Sequence, residues 1–195
     1  METQELNPKE SLKIIEGILE TERLRFAENG FIYLFWGWLI IASAVAQYIL
    51  IQVDYQYNYL VWLSMIAGSI YSGYYYSKKR KGTKSANLSI AGRILSATWI
   101  AITLNIFVAA FLLYADFSHL LLFVILSFIA LGTIVSGAVY RFNPLIFGGI
   151  AGNIIAFASL WFEYSYWNLL IVMAVIFSNI IPGYLLRKKY QNKNV

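Results

Sequence analysis

Asn105, Asn153 and Asn179 each fall at or near the middle of a long run of apolar residues. A primary amide carries two N–H donors and a carbonyl acceptor but no charge, so the chemistry it offers is hydrogen bonding. In hydrocarbon an amide without a partner is costly, and all three are therefore expected to face inward. There they either tie helices together, at about 0.6 to 2 kcal/mol per contact, or line a polar site for a substrate or ion. Acid–base and nucleophilic groups are scarce by comparison. There is no cysteine, and the one histidine, His119, has no second histidine or cysteine spaced to make a zinc site. It follows Ser118, which reads as a helix N-cap at a surface. Asp54, Asp116 and Glu163 sit in three separate turns and could meet on an external cation, although solvated turn acids are the simpler account. Phosphate loops, His-Glu-x-x-His and Gly-x-Ser-x-Gly are all missing. No catalytic residue, metal or cofactor is expected, and the chain does not read as an enzyme.

The elements that carry these amides follow from composition. Of 195 residues, 59% are hydrophobic and 13% charged, which is too apolar for an ordinary soluble domain. Six windows without Lys, Arg, Asp or Glu, at 31–51, 59–77, 94–114, 119–140, 144–162 and 166–186, match the roughly 20 residues a membrane-spanning helix needs. The expected fold is all-α: six transmembrane helices as three hairpins, preceded by a cytoplasmic amphipathic helix in 1–30 and followed by a basic tail in 187–195. The first 30 residues are too charged for a cleavable signal, so the first span is expected to serve as an uncleaved anchor. Proton-coupled transport, pumping and voltage sensing usually depend on a charge within the span, and apart from His119 at the very end of one window these windows hold no ionisable group of that kind.

Charge sets the expected orientation. Of 15 Lys and Arg residues, four fall in 1–30, six in 78–93, one at Arg141 and four from Arg187 onward. The alternate turns contain only the three acids named above. Basic residues in short loops are retained in the cytoplasm, so both termini, the Lys78-Lys79-Arg80-Lys81 run and Arg141 are expected there. The net charge of +5 thus reflects topology and does not point to direct nucleic-acid binding.

Along the chain, Asn7-Pro8-Lys9-Glu10 is a helix start with the makings of a capping box. Leu12, Ile15, Leu19 and Phe26 then form one apolar stripe. That segment has more acids than bases, so adhesion to an anionic leaflet is disfavoured, and Leu12, Ile15 and Leu19 are expected to dock on the bundle beside Lys78 to Lys81 or on a partner protein. Ala42-x-x-x-Ala46 and Gly148-x-x-x-Gly152 are spaced for close helix approach. Tyrosines and tryptophans gather at both ends of the first hairpin, as interfacial belts do. The three hairpins share an acidic outer turn and a glycine before a basic inner end, a pattern that allows a threefold repeat.

Arg141-Phe142-Asn143-Pro144-Leu145-Ile146-Phe147-Gly148-Gly149-Ile150, Ile180-Ile181-Pro182-Gly183-Tyr184-Leu185-Leu186 and Glu10-Ser11-Leu12-Lys13-Ile14-Ile15 together resemble a family of uncharacterised small six-helix bacterial inner-membrane proteins. The resemblance extends over most of the chain. It implies an envelope-signalling or regulatory role, because members of that family look to be encoded near winged-helix regulators. The expected function is therefore a non-enzymatic accessory or signalling component that docks a cytoplasmic or membrane partner, or assembles with itself. A second reading comes from six spans, Ala42-x-x-x-Ala46 and outer aromatic loops, which are similar to the substrate-binding membrane subunits of vitamin transporters. Trp62 and Asn153 would then carry the ligand.

Overall fold

The computed structural model describes residues 30–81, 90–113 and 118–193. The amphipathic stripe of Leu12, Ile15 and Leu19, Asp116 and the side chains of Lys79, Arg80, Lys81 and His119 lie outside the described residues. Every regular element among those described is helical: α1 (Phe31–Gln52), a 3-10 turn (Asn58–Leu63), α2 (Ser64–Lys81), α3 (Ile90–Leu113), α4 (Ser118–Tyr140), α5 (Asn143–Ala158), α6 (Trp167–Val175) and α7 (Ile181–Lys193). A π-helical segment, Ile176–Ile180, joins α6 and α7 into one rod. The chain is an all-α polytopic protein with one rod for each apolar window.

Five rods are long and apolar enough to cross a membrane, and α2 is the exception. Ser64, Ser69, Ser72, Gly68 and Gly73 dilute its apolar surface, and its last turn is Lys78 to Lys81. Its reach is nevertheless sufficient. The 3-10 turn rises about 2.0 Å per residue, and Ser64 through Ser77 add about 1.5 Å each, giving about 33 Å. That matches a hydrocarbon core of roughly 30 Å.

α5 is central. One flank packs along α4, the other along α6, the π segment and α7, and α1 packs against that same rod. α3 is attached to α4, while α2 is attached to α1 and to its own 3-10 turn. The order in space is therefore α2, α1, α6–α7, α5, α4, α3, an arc whose two end helices are consecutive in sequence. A threefold repeat would pack α2 on α3 as it packs α4 on α5, and among the described residues that third joint is absent from the main packing contacts.

Adjacent glycines let α5 be approached on both sides. A side chain at Gly148 would run into the Phe177 carbonyl and the Pro182 ring, whereas one at Gly149 would meet Ile134 and the Ala130 carbonyl of α4. Gly152 lies over Ser178 and Ala174. On α1 the close-approach face differs from the one expected. Ala42 is exposed and Ala46 half-buried, and the buried stripe runs instead through Tyr33, Gly37, Ala44 and Gln47. Ala44 rather than Ala42 faces the bundle because the helical phase is set by the bulky Tyr33 and the small Gly37 one turn later.

Pro182 interrupts the hydrogen bonding of the last rod. Proline removes the N–H that would bond the carbonyl of Ser178, and its ring crowds that carbonyl. The rod absorbs this by widening at Ile176–Ile180 and continues to Lys193, so the tail from Arg187 is helical. True helix ends come at α1 and α4, where Asp54 (φ 52°) and Arg141 (φ 50°) turn left-handed. Tyr55 N–H reaches Leu50 O at 2.9 Å, and Phe142 N–H reaches Gly137 O at 2.9 Å, which closes each helix with a six-to-one bond.

Replacing Gly148 by Val is expected to cost about 1 to 3 kcal/mol through overpacking, read as a lower melting temperature in detergent. Gly73→Ala, where nothing lies within 4 Å of the added carbon, should raise it, because alanine favours a helix by up to about 1 kcal/mol over glycine.

Candidate functional site

α1 and α2 run antiparallel along a seam that uses every fourth residue of α1. Phe31 meets Tyr75 and Phe35 meets Tyr71, each pair with ring centroids 5.1 Å apart. Gly68 then lets α2 close on Leu39 and Trp36. Further along, Ser43 and Ser64 hydroxyls lie 2.8 Å apart, and Ser43 donates to the Leu39 carbonyl at 2.9 Å. The Ser43 proton is thus spent, and Ser64 is the donor between the two. The seam passes from aromatic to small to polar.

Its far end is a directed amide chain. Trp62 Nε1–H donates to Gln47 Oε1 at 2.9 Å, Gln47 Nε2–H to Asn58 Oδ1 at 3.3 Å, and Asn58 Nδ2–H to the Tyr55 carbonyl at 3.1 Å. Gln47 is buried, with 8% of its surface exposed. Outside it, Tyr55, Tyr57 and Tyr59 stack edge to face at 6.1 and 6.3 Å and stay exposed. An indole, two amides and three phenols gathered at one end of a hairpin could hold a planar or hydroxylated ligand by stacking and hydrogen bonding.

A second polar chain crosses the bundle at the other end of α1. The hydroxyl of Tyr33 is hydrogen-bonded to the side chains of Ser136 and Tyr140. Ser136 donates its own proton to the Gly132 carbonyl at 2.7 Å and accepts from Trp99 Nε1–H at 3.3 Å. With its own proton committed, Ser136 can only accept from Tyr33. This links α1, α3 and α4 beside the apolar cluster of Tyr33, Phe142, Leu145 and Leu186.

The three asparagines are not brought into one site. Asn179 is buried, 4% exposed, in the π segment, where its Nδ2–H donates to Ser178 Oγ at 2.7 Å and its Cβ lies against Gly37 of α1. Asn153 is half-buried on α5 beside Gly152. Asn105 faces out: it is exposed on α3 and bonds only the Ala101 carbonyl of its own helix, at 2.8 Å. The inward expectation fails for Asn105 because, among the described residues, α3 has one packed side, toward α4, and Asn105 lies off it. Gln47, Ser43, Tyr33 and Ser136 carry no mark in the sequence that singles out amides at mid-span. Gln47 has the same amide as the asparagines, but its place five residues before the end of α1 hid it.

The helix ends sort by charge. Gly30, left-handed at φ 72°, abuts Gly183 and the Arg187 backbone, and Phe31 meets Tyr75 just before Lys78. Lys189 lies 5.3 Å over the Phe142 ring, next to Arg141. The start of α1 and the ends of α2, α4 and α7 therefore share one face, on which Lys78, Arg141, Arg187, Lys188 and Lys189 are exposed. Asp54 and Glu163 are exposed at the other end. No family model, no curated protein and no solved structure matches this chain.

Gln47→Leu strands the Trp62 N–H and should cost about 1 to 3 kcal/mol. Tyr33→Phe removes the link between Tyr140 and Ser136 and should cost about 1 kcal/mol. Both are read from thermal unfolding in detergent, and an unchanged midpoint for either would mean that its chain does not hold the bundle together.

Proposed function

We propose that the chain is a non-enzymatic protein of the bacterial inner membrane, an accessory or signalling component that docks a partner through its basic face. The observation that carries this reading is the convergence of the basic helix ends. Lys78 continues α2, and Arg187 to Lys189 continue α7. They are presented on helical extensions of packed rods, which costs a partner less ordering entropy than a loop would. Lys189 sits over the ring of Phe142, the residue that follows Arg141. The positive-inside rule accounts for the sign of this face and puts it, with both termini, in the cytoplasm. Its rigidity is what suits it to an acidic protein surface, since complementary charge sets register and speeds encounter.

A second reading is favoured by one specific feature, the Trp62–Gln47–Asn58 chain beside the exposed tyrosine ladder at the opposite end. A substrate-binding subunit of a small-molecule transporter would capture its ligand from that side.

Because the native chain has no cysteine, orientation can be mapped with single substitutions. Tyr57→Cys should react with an impermeant maleimide on intact cells and Ser77→Cys only after lysis; the reverse pattern would overturn the orientation. Partner identity separates the two functions. Affinity capture of the full chain should recover a cytoplasmic protein that is lost when Lys188 and Lys189 are changed to Glu, and also when Ile15 and Leu19 are changed to Ser. Recovery of a transport ATPase, or of a bound metabolite lost with Gln47→Leu, would replace docking with transport.

A further inference from the structure

Among the described residues α3 is held by one side only. Leu95 and Ile102 are buried, and Ile102 and Trp99 pack at Gly132 of α4. Ile100, Leu104, Phe107, Val108 and Phe111 are exposed, Phe111 at 86%. In a membrane such side chains are at home among lipid tails. Asn105, exposed among them near the middle of the helix, is not. Its bond to the Ala101 carbonyl uses one amide proton. The other N–H and the Oδ1 acceptor have no partner among the described residues, and hydrocarbon offers none. Ala97 and Ala101, also exposed, lie two turns and one turn before it on the same stripe. They leave room for another backbone to come close.

We infer that this face of α3 is the interface between two copies of the chain, closed by a reciprocal pair of Asn105 amides. The occupant follows from the chemistry of the unmet groups. Two copies in one membrane have the same orientation, so a closed two-fold axis must run along the membrane normal. α3 then runs parallel to its twin, and each residue on the seam meets itself. An amide is one of the few side chains that satisfies itself across such an axis: the free N–H of one Asn105 donates to Oδ1 of the other, and the two-fold axis generates the reverse bond. Lipid tails cannot do this. Ala101 opposite Ala101 permits the approach, and the larger exposed residues flank the seam. The inference rests on α3 crossing the membrane and is independent of what the basic face docks.

The test is disulfide trapping of the full chain in native membranes. Ala101→Cys should form a covalent homodimer on mild oxidation, whereas Phe147→Cys, exposed on α5 at 68%, should not. Adding Asn105→Leu to Ala101→Cys should reduce the dimer about five- to tenfold, the size expected for losing two intramembrane hydrogen bonds. The melting temperature in detergent should not fall, since Asn105 makes no contact that holds the monomer together. Asn105→Gln, which keeps donor and acceptor, should retain most of the cross-link and guards against a folding defect in the Leu variant. A yield from Ala101→Cys no higher than from Phe147→Cys, a yield indifferent to Asn105→Leu or lost with Asn105→Gln, or an adduct of a different mass would each overturn the interface.

Discussion

The bundle depends on the close approach of three backbones around one widened turn. Ile176–Ile180 lies between Gly37 of α1 and Gly148 and Gly152 of α5, with Asn179 and Ile180 against the first and Phe177, Ser178 and Pro182 against the others. Hydrophobic burial cannot drive this contact within a membrane, because lipid tails are as apolar as leucine. What remains is packing at short range and internal hydrogen bonding. Both require small residues where rods cross, and the chain supplies glycine at each crossing. The proline that causes the widening is itself wedged against Gly148, so the strain and its relief occupy the same place.

From that crossing, α1 carries polar linkage in both directions. Toward one end it ties α2 through Ser43 and Gln47, and toward the other it ties α3 and α4 through Tyr33 and Ser136. Both chains terminate on backbone carbonyls, of Tyr55 and Gly132. Such chains rigidify a bundle and fix its register. The basic helix ends lie on one face of the bundle and the exposed tyrosine ladder on the other. Within the six apolar windows the one side chain that titrates near neutral pH is His119, at the first position of the fourth.

Much of the fold was legible because the bilayer imposes it. Window length, the absence of charge and the side on which Lys and Arg fall are one-dimensional features, and they returned six rods and the sorting of Lys78, Arg141 and Arg187 to one face. Facing is a different matter. Asn105 and Asn179 look alike in sequence, each an amide amid Ile, Leu and Phe, yet Asn179 is buried against α1 and Asn105 is exposed on α3. Hydrophobic periodicity distinguishes core from water, but lipid is apolar too, so a span gives little sign of which side packs. The same blindness led to Ala42 where Ala44 is buried, and left open whether the three hairpins close into a threefold ring. Pro182 is plain in the sequence, but the widened turn that lets a rod run through it depends on Gly148 far away in the chain.

The central structural claim is the arc, in which α2 and α3 follow one another in sequence but lie at opposite edges. It is tested most directly by distance measurement between spin labels in lipid bilayers, with labelled protein diluted in unlabelled protein so that each distance arises within one copy. One pair would join Ile70→Cys on α2 to Leu104→Cys on α3, and a reference pair would join Leu104→Cys to Leu131→Cys on α4. All three positions are exposed and lie at mid-helix. The α2–α3 distance should be clearly the longer of the two. An α2–α3 distance equal to or shorter than the α3–α4 distance would mean that the two edges meet, the bundle closes, and the exposed face of α3 is covered by its own chain.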